Sequence, residues 1–553
     1  MIRLALLPSL LIGAHLFSAC EPADPPPREQ TPEQAGTKSR YRLLLNSDGG
    51  SSSLYAHEPP ITRDQALRVV SELEGTQVDA FIQCFTHGDH LMYDSAVGEI
   101  YGKGVTEFEY ESTRRWAQNV FSLLERGMDP LELLAQRSHE LDMEFWLSMR
   151  MNDIHKDWTD RLPSGEFRNR RENGIGDWEY AHPEFWIGAD VSSHYVGRTG
   201  KQYSLGLDYA QEEVRSRRLA IIEEACTRYA VDGFELDFLS HPYYFKSGNE
   251  AAGMPHMTDF LRKLRRRLKA LEAREGRSIK LLARVPPSIS KCEAIGFDVP
   301  TWIREELLDL VVPTTRGYLD MTADLASFVE LAQGTRCRVI GGISDLYVRD
   351  YTGSKGGRAS IEMMRAAAMQ LWEQGASGIH LFNFDCHVVG KGVPGRLFNP
   401  VERQMLEEIG DPNRIARKDK HYFVTRDMEA RTPAEGGEMH LPVELQQGDR
   451  CQIPLVIGDD LGSAREEELL ESVLLRVHLQ GYSRWDDELR FELNGRYLRP
   501  QGPGQILNFF PEDALERGSN QLLIHLRRRS PYRQGPVRVQ AVELFIEYRE
   551  TES

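Results

Sequence analysis

Between residues 41 and 411 the sequence repeats one pattern eight times: a short apolar run, a polar exit, and in most cases an amphipathic stretch after it. The apolar runs fall at 41–45, 80–85, 144–149, 233–238, 280–284, 308–313, 338–343 and 378–382. Helical stretches are expected at 63–73, 113–141, 211–229, 257–275, 321–332 and 361–374, with Met128-Asp129-Pro130 breaking the second. In 211–229, Leu219, Ile222, Cys226 and Tyr229 recur at helical spacing and mark the face that packs inward. Strands that alternate with helices form parallel sheets, and eight such units predict a (β/α)8 barrel with long insertions. A doubly wound open sheet is the competing reading, but the first turn lacks the Gly-rich loop that a dinucleotide needs.

At 553 residues the chain is too long for one core. After an expected linker at 413–425, strand-like alternation dominates 426–553, at 452–457, 472–480, 488–493, 521–527 and 537–548. Asn494-Gly495 reads as a hairpin turn, and the acidic stretch 466–471 is the one helical candidate there. This predicts an accessory β-sandwich. At the other end, Arg3, an apolar run from Leu4 to Phe17 and Ser18-Ala19-Cys20 describe a secretory signal too short to span a membrane. The last residues resemble a bacterial lipobox with Phe17 in the usual Leu position, so Cys20 is expected to carry lipid, followed by a polar tether at 21–40. The expectation is an exported protein, lipid-anchored in the cell envelope or released beyond it.

The net charge of -17 excludes nucleic acid as partner. Cys84, Cys226, Cys292, Cys337, Cys386 and Cys451 lack CxxC spacing, so neither a zinc site nor a disulfide scaffold is expected. A Cys84–Cys386 bridge is the one pairing that neighbouring strands two and eight would allow. No cofactor is expected.

Function in such a barrel collects at the C-terminal ends of the strands. Strand one runs out through Asn46-Ser47-Asp48-Gly49-Gly50, strand two through Thr86-His87-Gly88-Asp89-His90, and strand three through Arg150-Met151-Asn152-Asp153-Ile154-His155. Strand four carries Glu235 and Asp237, with His241, Tyr243 and Tyr244 beyond it. Arg284 and Arg316 follow strands five and six, Asp345 follows strand seven, and Asn383, Asp385 and His387 follow strand eight. Polar groups at nearly every exit predict a ligand cleft. The loop after strand three adds Trp158, Trp178, Tyr180, Phe185, Trp186, Tyr195 and Tyr203. Flat aromatic faces suit sugar rings, although packing explains any single one of them as well.

Strand four is the most telling segment. In Asp232-Gly233-Phe234-Glu235-Leu236-Asp237-Phe238-Leu239-Ser240-His241-Pro242, alternation puts Glu235 and Asp237 on one face. Two carboxylates inside an apolar strand are costly unless ion pairing or chemistry uses their charge. The segment resembles the fourth-strand motif of glycoside hydrolase family eighteen, the chitinases. Glu235 replaces that family's first interior Asp, Asp237 matches its second, and Leu239 takes the place of its general acid, which argues against a substrate-assisted mechanism. It is more similar to the glycosyl hydrolase-like family ten barrels of bacteria, on Asp232 to Pro242 and Arg150-Met151-Asn152-Asp153. That resemblance implies a secreted or envelope glycoside hydrolase with a C-terminal β-sandwich.

The expected mechanism uses two carboxylates. Asp237 is the expected nucleophile or charge stabiliser, Asp345 the acid, and Glu235 the group that orients Asp237. Asn46, Asp48, His87, Arg150, Asn152, Asp153, His241, Tyr243, Arg284, Arg316, Asn383, Asp385 and Trp158 are the expected substrate-binding residues. Arg150, Arg284 and Arg316 in one mouth point to an acidic or sulfated glycan. Two alternatives stay open: a surface protein that binds glycan without cleaving it, motivated by Leu239, and a metal-dependent hydrolase built on His87, Asp89 and His90. No G-x-S-x-G nucleophile elbow is present at a strand–helix junction.

Overall fold

A computed structural model describes residues 41–153, 155, 164, 166–188, 205–345, 358–386, 397–425, 441–502, 504–511 and 513–549. The signal and lipobox with Cys20, the tether, Trp158, Tyr195, Tyr203 and His387 lie outside the described residues. Eight parallel strands build the first layer: β1 Leu43–Ser47, β2 Val78–Cys84, β3 Glu144–Arg150, β4 Gly233–Asp237, β5 Lys280–Val285, β6 Leu310–Pro313, β7 in two halves, Arg338–Val339 and Gly341–Ile343, and β8 Ile379–Phe382. Each pairs with its sequence neighbour, and β1 pairs with β8. The first half of β7 pairs with β6 and the second half with β8, so the ring is carried round through a strand divided at Ile340.

Side-chain alternation explains what fills the ring. Leu44, Ala80, Ile82, Trp146, Leu282, Leu310, Val312 and Ile340 share one parity in register and form a small apolar cluster with Tyr41, separate from the main core. The opposite parity (Leu43, Leu45, Phe81, Phe145, Phe234, Leu281, Val311) joins the large core under the helices. Gly233 belongs to the inner set, and a Cβ there would sit 2.3 Å from the Trp146 ring. That glycine is the space the indole occupies.

The helices start where capping chemistry allows. Thr62 and Gln65 form a reciprocal capping box on Arg63–Ser71. Asp129 caps Pro130–Glu140 at the expected break, accepting from Leu131 N and Glu132 N with Pro130 at the first helical position. The long helix Glu250–Glu275 starts seven residues before the expected 257, carrying Pro255 within its second turn.

The C-terminal part is a β-sandwich of two antiparallel sheets. One joins Lys420–Phe423, Val537–Tyr548, Leu470–Gln480 and Ile506–Phe509, with Val443–Leu445 also on Val537–Tyr548. The other orders Arg450–Ile457, Gly518–Arg528, Glu488–Leu493 and Arg496–Leu498. Asn494 and Gly495, at φ 51° and 79°, make the hairpin turn with both central residues left-handed. Two expectations shift: the segment 413–425 holds strand Lys420–Phe423, and the helix falls at Leu461–Glu466 ahead of the acidic stretch. Lys420 and Asp459, both fully buried, pair at 2.8 Å, and Tyr548 donates to Asp459 at 2.6 Å. The six described cysteines are free, so Cys84 and Cys386 form no bridge.

Gly233→Ala forces the Trp146 indole out of its place and is expected to destabilise the fold by about 1–3 kcal/mol, as overpacking does. Denaturant unfolding measures it, and a smaller ring in the double variant with Trp146→Phe should recover part of the loss.

Candidate active site

Strand parity places Glu235 inside the ring, directly above the apolar cluster, and the structure shows what holds its charge there. Asn46 Nδ2 from β1 donates to its Oε1 at 2.6 Å, and Ser148 Oγ from β3 donates to the same atom at 2.6 Å. His380 Nε2 from β8 lies 2.7 Å from Oε2. All four side chains are buried. Glu235 is therefore a cross-barrel tie whose oxygens both face protein. It makes no hydrogen bond with Asp237, the group it is expected from the sequence to orient.

One residue pair further up the strand, Asp237 meets the Arg284 guanidinium at 2.9 Å. The loop that follows folds back on it: Leu239 N and Ser240 N donate to Oδ1 at 3.0 and 3.2 Å, and Ser240 Oγ donates to Oδ2. Burial works against the charge, but Arg284, Ser240 and Arg150 outweigh it and hold the carboxyl below its ordinary value. Arg284 is itself fully buried, donates to the carbonyls of Thr315 and Arg316, and lies over the Phe382 ring at 3.5 Å. This corrects two expectations: Arg284 is engaged inside the protein, and Asp237 has both oxygens occupied. Asn152 joins them, clamping the chain through Leu207 N, Leu207 O and Tyr243 O. Tyr243 is buried beside it.

The exits of β1 and β8 hold a different arrangement. Asp385, fully buried, accepts from Ser47 Oγ at 2.8 Å and Ser52 Oγ at 2.6 Å on one oxygen. Its Oδ1 has no hydrogen-bond partner among the described residues. Burial first, and the nearby Asp48 carboxylate second, push its pKa up to about 7. Asp48 is only partly buried and accepts from Ser51 N at 3.0 Å and from Ser51 Oγ. Burial opposes its ionisation, yet Arg150, with Cys386 and Ser51, brings it below the ordinary value. One serine-rich turn thus serves both acids, whose pKa values move in opposite directions, Asp48 down and Asp385 up. Gly49, at φ 104° and with its Cβ position 2.7 Å from Cys84 O, permits that turn. Asn383, two residues before Asp385, is also left-handed, at φ 51°, and buried.

Asp345 carries one oxygen without a partner among the described residues, and burial raises it to about 6 against the pull of Arg358. Arg358 grips the other oxygen at 2.6 Å and also bridges to Glu402, which makes the pair part of the scaffold. On the far side of the mouth His87, Asp153, His155 and His241 gather. Asp153, fully buried, lies 2.5 Å from His155 Nδ1, 3.8 Å from His241 Nδ1 and 3.5 Å from Arg150 Nη1. Arg316 Nη2 reaches His241 Nε2 at 3.0 Å. Asp89 takes no part: Arg217 and Arg218 bind it at 2.6 and 3.1 Å, so the grouping of His87 with Asp89 and His90 does not form. The described aromatics of the long loop serve packing, with Trp178 under Arg217 and against Phe185, and Trp186 buried against Phe167.

Ser52, Arg358 and His380 complete these groups, and sequence reasoning alone does not single them out as functional. Only His380 has a visible signal, a polar residue at an inward position of an apolar strand.

Glu235→Ala strands three buried partners and should cost at least about 3 kcal/mol in denaturant unfolding. Asp345 and Asp385 give a second test. Their folded-state pKa values lie above the unfolded one, so their contribution is complete below pH about 4 and is lost as pH rises through about 6 and 7. A carboxyl whose folded and unfolded pKa differ by one contributes about 1.4 kcal/mol. Asp385→Asn should therefore flatten the loss of stability between about pH 4 and pH 8. A pH series of thermal midpoints reads this directly.

No family model matches this chain, and no curated protein sequence does, so the similarity to the family ten barrels rests on the motif residues alone. Among solved structures it is similar to a maltogenic α-amylase of Thermotoga neapolitana, at 10% identity and TM-score 0.36 over 88% of this chain and 99% of that one. An α-amylase of Lactobacillus plantarum matches at 12% and 0.35 over 89% and 100%. The family thirty-six α-galactosidase AgaA of Geobacillus stearothermophilus matches at 12% and 0.37 over 91% and 55%, so this chain spans about half its length.

Proposed function

We propose that this protein is an exported glycoside hydrolase that cleaves an oligo- or polysaccharide with two carboxyl groups at the mouth of the barrel. The observation that carries the reading is the Asp48–Asp385 pair, two acids served by the serines of one turn, whose surroundings push their pKa values apart as acid–base hydrolysis requires. Asp385 is the proton donor to the glycosidic oxygen, and Asp48 the ionised partner that attacks, activates water or stabilises the oxocarbenium-like centre. Arg150 keeps Asp48 charged. Asp237 with Arg284 acts beneath them as the fixed layer that sets Arg150 and the strand-four loop. Asp345 is the weaker candidate for the acid, because Arg358 ion-pairs with one of its oxygens and ties it to Glu402. Export rests on the N-terminal signal, and membrane attachment on Cys20.

A second reading, a glycan-binding surface lipoprotein without turnover, draws on Leu239, which is fully buried where the chitinase-type acid would stand. Release of reducing ends from a panel of α- and β-linked glycans separates the two. Hydrolysis should fall by about 10²–10⁴-fold in Asp385→Asn and in Asp48→Asn, with the circular dichroism spectrum unchanged. Full activity in both variants would overturn the assignment, and glycan binding without any product would favour the lipoprotein.

A further inference from the structure

We propose that His87, Asp153 and His155 bind a divalent transition-metal ion between the exits of β2 and β3. Their ligand atoms, one per residue, all lie within 4.8 Å of one another, the one such grouping among the described residues. The donor set is two imidazoles and one carboxylate, which suits zinc and its first-row neighbours. Ligands about 2.0–2.1 Å from a tetrahedral ion stand about 3.3 Å apart, so the widest separation here must contract by about 1.5 Å.

Backbone contacts already join the two exits. Gly88 N donates to Asp153 Oδ2 at 3.2 Å and joins the two exits. Gly88, at φ 61°, lies so close to Gly174 that a Cβ would meet its carbonyl oxygen at 2.1 Å, which fixes the turn next to His87. The His87 ring is held edge-on by Tyr101 and Trp116 and stacked on His155 at 5.0 Å. His241, whose Nδ1 is 3.8 Å from Asp153, is a group that orients the carboxylate from outside the ligand set. Arg150 and Arg316 are the opposing feature: their charges weaken a cation's hold.

This site is independent of the Asp48–Asp385 reading, and its test does not depend on turnover. Calorimetric titration of the metal-free full chain with zinc chloride should show one equivalent bound. Cobalt(II) should give visible bands of a low-coordinate site, and zinc should raise the thermal midpoint. His87→Ala and His155→Ala should each weaken zinc binding by at least about tenfold, since loss of even an outer partner costs that much. Asp153→Asn checks the carboxylate where Asp153→Ala fails to fold. Zinc binding unchanged in both histidine variants, or no stoichiometric binding by the parent protein, would overturn the site and leave these residues as a hydrogen-bonded cluster.

Discussion

The structure depends on how a carboxylate is kept inside a ring of apolar strands. Glu235 is closed off from the surface, and burial of an unpaired charge is prohibitive. Donors from three other strands meet it, and each occupies the inward position of its own strand. Asn46, Ser148 and His380 are thereby fixed in height, and the residues two steps further along those strands are fixed with them. Asp48, Arg150 and Phe382 follow two steps on along the same strands, and the bonds of that tier keep each strand from slipping.

A gradient of solvation runs up the barrel. The lowest layer is apolar, the next is a closed polar tie, and the third is the Asp237–Arg284 pair with its loop folded over it. Only above these does a partly exposed carboxylate, Asp48, appear. Placing two acids beside one turn destabilises the fold at neutral pH, since Asp385 would ionise freely in the unfolded chain. Functional sites commonly carry such local cost, and a scaffold as fully bonded as the lower layers tolerates it.

Much of this is legible in the sequence, for definite physical reasons. The eight strands follow from apolar runs bounded by polar exits, and the break at Asp129-Pro130 from proline geometry. The sandwich strands follow from alternation. The division of roles among the acids is not legible, because it turns on which partners each oxygen meets. Asp237 reads as open because strand alternation says nothing of the Leu239 and Ser240 amides folding back. Arg284 and Asn152 read as ligand-facing because their bonds go to carbonyls in distant loops. Asp385 rises because burial and the neighbouring Asp48 charge outweigh the two serines that bond it, and a balance of that kind exists only in three dimensions.

The divided strand β7 has a mechanical consequence. Every other junction in the hoop is fastened over four or five residues, but this strand offers two on one side and three on the other. A cylinder yields at its thinnest fastening, so the clasp at Ile340 is where the wall parts most readily, and Asp345 hangs from the edge that would swing.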